Sequence, residues 1–138
     1  MRYRTENIYQ VIDTSATPSQ VYSAFTNQEI HSAFTRMGAQ INAEEGGKFI
    51  SCGGQSFGRY IRLVKSKRLV LSWSHKELPK DYYTTVHIEI EKVPGGSRVH
   101  FNHVGVPDSC DGWLTDCWTN TYWRPMVAYF ENTELASA

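Results

Sequence analysis

The chain is short of cysteine, has no excess of either charge and contains no long apolar run. Its three cysteines are Cys52, Cys110 and Cys117. An odd count without clustered spacing is not a disulfide framework. On a shared helix, Cys110 and Cys117 would stand about 10 Å apart along the axis, beyond the roughly 7 Å between Cα atoms that a bridge spans. All three read as reduced thiols in a reducing compartment. Lys plus Arg and Asp plus Glu number 14 each, so the composition carries no footprint for nucleic acid or an anionic membrane. The basic cluster at Lys65, Lys67 and Arg68 reads as a solvated turn. No segment approaches the roughly 20 apolar residues of a membrane span. The opening "MRYRTENIYQVID" lacks the apolar stretch of a signal peptide, and the expected location is the cytoplasm. There is no G-x-S-x-G elbow and no phosphate-binding glycine loop; "GGKF" and "GGQSFG" read as hairpin turns. Of the five histidines, His100 and His103 lie three apart on a strand and point to opposite faces, and none stands at ligand spacing to a cysteine. No metal and no cofactor is expected.

What the chain does have is apolar patterning and aromatic rings. Hydrophobic residues make up 41% of its 138 residues and charged residues 20%, the balance of one globular domain spanning 1–138. "ENIYQVID" alternates as a strand, with Ile8, Gln10 and Ile12 opposed to Tyr9, Val11 and Asp13. Thr17, Pro18 and Gln20 form a capping box that opens a helix. A second box, Thr26 with Glu29, predicts another short helix over about Asn27–Phe34. From Gly38 to Leu78 the sequence reads as four strands broken at Gly46-Gly47, Gly53-Gly54 and Ser66-Lys67. Alternation places Phe57, Arg59, Ile61 and Leu63 on one face, and Leu69, Leu71, Trp73 and His75 on one face. A hairpin turning at Pro94-Gly95-Gly96 follows. Thr84, Val86, Ile88 and Ile90 share one of its faces, Val99, Phe101 and His103 point inward, and Arg98, His100 and Asn102 point to solvent.

The last segment, which starts after "GVPDS" and contains "DCWTNTYWRPMVAYF", is a helix capped by Asp108 or Ser109. At 100° per residue, Cys110, Leu114, Trp118, Tyr122, Pro125 and Tyr129 form a stripe about 120° wide. Trp113, Trp123, Met126 and Phe130 flank it. Pro125 removes a hydrogen bond and predicts a bend near Thr121. The order of strand, two short helices, six strands and a long helix predicts an α+β fold. In it a curved antiparallel sheet wraps one C-terminal helix, a cavity lies between them, and the two short helices plug one end.

Several stretches together resemble a known family. They are "AFTNQEIHSAFTRMGAQINAEEGGKF", "GRYIRLVKSKRLVLSW", "LPKDYYTTVHIEIE" and "GVPDSCDGWLTDCWTNTYWRPMVAYF". From about Thr14 to Phe130 the chain is similar to the C-terminal domain of the activator of the heat-shock-protein-90 ATPase. The most diagnostic pieces are Gly46-Gly47 with Phe49, the Trp73 strand, Gly105-Val106-Pro107, and Trp113 through Tyr122-Trp123-Arg124-Pro125. The resemblance implies a START-like (SRPBCC) helix-grip fold of six to seven strands. It also implies an Hsp90-type chaperone as partner, for a monomer or homodimer. The superfamily hosts ligand carriers, polyketide cyclases and chaperone partners, so fold alone does not settle function. The complete activator carries a further N-terminal domain that binds the chaperone, and nothing in "MRYRTENIYQ" resembles it.

The ligand-binding candidates are the inward residues Arg59, Trp73, His75, Phe101, His103, Trp118 and Tyr122. Arg59 and His103 would be polar anchors in an otherwise apolar cavity. An inward Arg59 would need a carboxylate, from Glu29, Glu45 or a ligand. Against this stands a plainer reading, in which the rings are core, Arg59 and His75 reach water at strand ends, and His103 bonds a neighbour. The functional expectation is a non-enzymatic binding module, co-chaperone-like. The alternatives are a carrier of a small apolar or aromatic ligand, and a polyketide-cyclase-type enzyme using His103 as acid or base in the same cavity.

Overall fold

The computed structural model describes residues 4–137. Seven antiparallel strands form one sheet in the order β1-β7-β6-β5-β4-β3-β2. They are β1 (Thr5–Thr14), β2 (Gln40–Ile41), β3 (Lys48–Ser51), β4 (Ser56–Val64), β5 (Arg68–His75), β6 (Thr84–Val93) and β7 (Gly96–Pro107). Two short helices, α1 (Pro18–Thr26) and α2 (Gln28–Thr35), follow β1, and the chain closes on a long helix against the sheet. No described helix is long and apolar enough to cross a membrane.

Local chemistry explains the helix starts. The Thr17 hydroxyl accepts the Gln20 N–H (3.2 Å), and the Gln20 side chain accepts the Thr17 N–H (2.8 Å). The second cap is Asn27, not Thr26. Thr26 is still helical and turns its hydroxyl back to the Tyr22 carbonyl (2.9 Å), as a helical threonine does. Asn27 is extended, and its Oδ1 accepts the Ile30 N–H (3.0 Å).

The alternation expected of β4 breaks at a β-bulge. The register with β5 slips between Tyr60 and Arg62, so Tyr60 faces Leu71 while Leu63 faces Leu69. The extra residue shifts the period by one. Leu63 faces inward as expected. Before the bulge, however, the inward residues are Ser56, Gly58 and Tyr60. Phe57 and Arg59 face outward, and Ile61 is 51% exposed. Arg59 is therefore not an anchor inside the fold. It is exposed, and its Nη1 donates to the Gly46 carbonyl (3.0 Å). Tyr60 takes the inward place, fully buried, and its hydroxyl donates to the Phe25 carbonyl of α1.

The long helix comes in three parts. A short 3₁₀ turn, Asp108–Cys110, leads into α3 (Asp111–Cys117), which starts without a side-chain cap from Asp108 or Ser109. A π-helical stretch, Trp118–Trp123, joins it to α4 (Arg124–Ser137). In that stretch the Arg124 N–H bonds the Thr119 carbonyl, five residues back, which is the π spacing. Pro125 has no N–H to offer the Thr121 carbonyl, so the helix takes a wide turn where a bend was expected. The extra residue rotates everything beyond it. Leu114, Trp118 and Tyr122 are buried as the stripe predicts. After them the buried residues are Trp123, Met126 and Phe130, while Pro125 and Tyr129 are only half-buried.

Candidate functional site

The rings of the π-helical stretch meet the inward face of β5 and β7. Trp118 is the hub. Its ring centroid lies 4.5 Å from Phe101, 5.7 Å from Trp73, 4.4 Å from Tyr122 and 5.9 Å from His103. Of the candidate residues, Trp73, Phe101, His103, Trp118 and Tyr122 are thus assembled in one buried cluster. His75 is at its margin, 7% exposed, against Trp113 (5.0 Å) and Trp73 (5.9 Å). Its Nδ1 accepts the Glu77 N–H (3.0 Å), and burial lowers its pKa.

A cavity lies between sheet and helix, lined by Trp73, Trp118 and Tyr122 together with Phe25, His31, Phe49, Ser51 and Tyr60. Its volume is about 20 Å³, room for one water molecule. Three of its polar walls, Tyr60, Ser51 and His31, were not among the expected site residues. Tyr60 was hidden by the bulge. Ser51 stands two residues from buried Phe49 on β3, a two-residue period that marks it as inward. His31 stands three and four residues before buried Phe34 and Thr35 on α2, so helical spacing identifies it in the same way.

These residues form a buried polar network. His31 Nδ1 lies 2.9 Å from the Ala24 carbonyl, and its Nε2 lies 2.6 Å from Ser51 Oγ. A carbonyl can only accept, so Nδ1 carries the proton and the Ser51 hydroxyl donates to Nε2. The Tyr122 hydroxyl lies 3.2 Å from Ser51 Oγ and donates to Ser56 Oγ at 3.3 Å. Cys52 Sγ is 3.2 Å from the same hydroxyl. The turn that presents Cys52 is left-handed at three successive residues, Cys52 (φ 55°), Gly53 (φ 65°) and Gly54 (φ 97°). The two glycines bear this without cost, whereas the cysteine does not. Burial, with Cys52 alongside, pushes the Tyr122 pKa well up. Burial also lowers that of His31, against the opposing bond to Ala24. Both groups are therefore neutral near pH 7. Tyr122→Phe should lower stability by about 1–3 kcal/mol, because it strips Ser56 of its buried donor. Urea unfolding checks this; an unchanged midpoint would mean the hydroxyl contributes nothing.

His103 is fully buried and holds two facts together. Thr84 Oγ1 lies 2.6 Å from its Nε2 and donates to the Trp73 carbonyl at 3.1 Å. Thr84 has one hydroxyl proton, and the carbonyl takes it, so His103 donates from Nε2. Its Nδ1 is then a bare acceptor without a partner, and Trp118 Nε1 is a buried donor without one. Burial pulls the His103 pKa down to about 3. Among the described residues no group of three or more His, Cys, Asp or Glu could hold a metal ion, and the cysteines are unpaired.

Comparison with known proteins places this geometry. The family profile described as "Activator of Hsp90 ATPase homolog 1-like protein" matches residues 15–131. The mouse (Mus musculus) activator of 90 kDa heat shock protein ATPase homolog 2 is 28% identical over 127 residues, which is 92% of this chain and 38% of the relative. The chain thus spans little more than a third of that relative's length. An Hsp90 activator from Plasmodium falciparum superposes with a TM-score of 0.82 at 18% identity, over 91% of this chain and 96% of that one. The Aha1 dimer from Colwellia psychrerythraea gives 0.69 at 20% identity, over 91% and 92%. Both structural likenesses support a helix-grip fold, and with the profile covering most of its length the chain belongs to the family of activator of Hsp90 ATPase homologue 1-like proteins.

Proposed function

We propose that this chain is a co-chaperone-type binding module that docks on an Hsp90-type chaperone through its outer surface. One observation carries this choice over a ligand carrier. The buried cavity under the ring cluster is about 20 Å³, against the several hundred Å³ of an ordinary small-molecule site, and the wider groove where β1 meets the long helix, about 640 Å³ along Gln10, Ile12, Trp123 and Val127, opens to the surface. Large rings fill the grip, so the surfaces left for binding are external. Family membership supports an Hsp90-type chaperone as the class of partner.

The test is calorimetric titration of the purified chain into a purified Hsp90-type chaperone, with ATP turnover followed in parallel. Saturable binding is the expected result, with or without a change in turnover. Absence of binding at chaperone concentrations of tens of micromolar would defeat the reading.

A second reading, a carrier or a cyclase-type enzyme, is favoured by one observation. The bare His103 Nδ1 and the unpaired Trp118 Nε1–H are a complementary acceptor and donor, which one hydroxyl group could satisfy if the cluster opened. Native mass spectrometry of the freshly purified protein distinguishes the two. A bound small molecule that leaves on denaturation favours the carrier; the bare polypeptide mass favours docking.

A further inference from the structure

The outer face of the sheet is sorted by charge. The strand registers place Asp13, Arg98 and Glu91 in one cross-strand row, and Val11, His100, Glu89 and Arg68 in the next. All three ion pairs among the described residues lie here: Arg98–Asp13 (2.8 Å), His100–Glu91 (3.0 Å) and Arg68–Glu89 (3.9 Å). At this end acids and bases answer each other.

At the other end they do not. Lys48, Arg59 and Ser72 share a row, and Ile50, Phe57 and Ser74 share the next. Lys48, Arg59 and nearby Arg62 are exposed, and none is in an ion pair among the described residues. The closest acidic residue in sequence, Glu45, accepts the Leu63 N–H instead (3.3 Å). Beside these cations, apolar groups stand in water. Ile50 is 40% exposed, Ile61 51% and Tyr83 50%, and the Phe57 ring meets Tyr83 edge-on at 6.2 Å. A groove of about 620 Å³ is framed by Lys48, Ile50, Phe57, Arg59 and Tyr83. It lies on the face of the sheet turned away from the long helix. The Arg59 guanidinium is held at its rim by the Gly46 carbonyl.

We infer that this groove docks an acidic segment of a protein partner carrying one large apolar side chain. Carboxylates of the segment meet Lys48 and the Arg59 fork, which binds a carboxylate with both arms. The apolar side chain anchors between Ile50, Phe57 and Tyr83, in the manner of an interface hot spot. Unanswered cations beside exposed rings select an acidic protein over an anionic membrane, which polybasic segments of four to eight Lys or Arg recognise. The identity of the partner as the chaperone rests on the docking reading above; the chemistry of the groove does not.

The experiment uses the full chain, labelled with ¹⁵N. The first arm titrates it with the purified Hsp90-type chaperone. Amide shifts or broadening confined to Lys48–Ile50, Phe57–Arg59 and Tyr83 are expected. Lys48→Glu with Arg59→Glu should weaken binding roughly tenfold or more, mainly through association at low salt. Lys92→Glu, at an exposed position outside the groove, should leave binding unchanged. A footprint elsewhere, or full affinity in the reversed variant, overturns the groove while leaving the docking reading intact. If wild type binds no chaperone, the docking reading fails, and a second arm decides the groove alone. In that arm a synthetic Glu-rich peptide with a single Phe is compared with its Lys-rich counterpart. Shifts of Ile50, Phe57 and Arg59 with the acidic peptide only support the inference. No shift, or equal shifts with vesicles of anionic lipid, overturns it.

Discussion

Trp118→Ala should cost about 3–5 kcal/mol of stability, the range for removing a large aromatic from a core that cannot collapse. The magnitude follows from geometry. Trp118 is 2% exposed, and four rings from three other elements close on it: Phe25 from α1, Trp73 from β5, and Phe101 and His103 from β7. No single neighbour can swing in to fill the gap without leaving another partner. Chemical denaturation measures the loss, and a midpoint within about 1 kcal/mol of wild type would show that the ring is not the keystone proposed here. The same variant tests whether the grip is full. Removing an indole from an apolar site leaves a dry cavity that takes up a small aromatic molecule, as engineered core cavities do. Added indole should therefore raise the unfolding temperature of Trp118→Ala and leave wild type unmoved. Stabilisation of wild type by indole would mean that the closed space of about 20 Å³ opens readily, and would move the weight of argument to the carrier reading. Should the alanine variant fail to fold, Trp118→Phe keeps the comparison alive. It retains most of the packing and removes the unpaired Nε1–H.

The sequence carried most of the frame and part of the site, and the misses have physical causes. β1, β6 and β7 were legible because each has one buried face and so a period of two, and β5 by its run of strand-forming apolar residues, buried on both sides. The first helix cap was legible because Thr17, Pro18 and Gln20 have no other joint use. Two insertions hid the rest. The bulge at Tyr60–Arg62 reverses which residues of β4 face inward, so Arg59 read as an anchor and Tyr60 did not. A bulge depends on pairing with the neighbouring strand, and no local pattern announces it. The π-helical turn advances the apolar stripe from Pro125 and Tyr129 to Met126 and Phe130. Pro125 gave the signal for irregularity there but not its form, since a bend and a widened turn both relieve the same lost bond. His31 and Ser51 were readable from spacing. Their pairing was not, because α2 and β3 meet only in the folded chain.

Lowering the pH from 6.5 to 4 should remove roughly 3 kcal/mol of stability through His103 alone, at about 1.4 kcal/mol per pH unit. In the folded chain its pKa is pulled down to about 3 by burial, against an ordinary value near 6.5. Between these values the unfolded chain binds a proton that the folded chain refuses. Stability therefore rises with pH across this window, is complete above about 6.5, and is lost progressively as pH falls toward 3. His31 and His75 are lowered for the same reason, desolvation, and add to the slope with the same sign. Among the described residues no acid acts on His103 to offset it. Its ring is walled by Trp73, Phe101 and Trp118, and its one bond is to the Thr84 hydroxyl. His103→Gln cannot titrate, so urea midpoints measured from pH 4 to 7 should fall less steeply in this variant than in wild type. Parallel curves would rule out a buried neutral imidazole at this position. Where the variant folds poorly, the wild-type ring answers directly. Its nitrogen resonances should show protonation at Nε2 and a bare Nδ1 from pH 7 down to about 4. Titration near 6.5 would instead mean that water reaches the ring, and that the grip is open where these side chains close it.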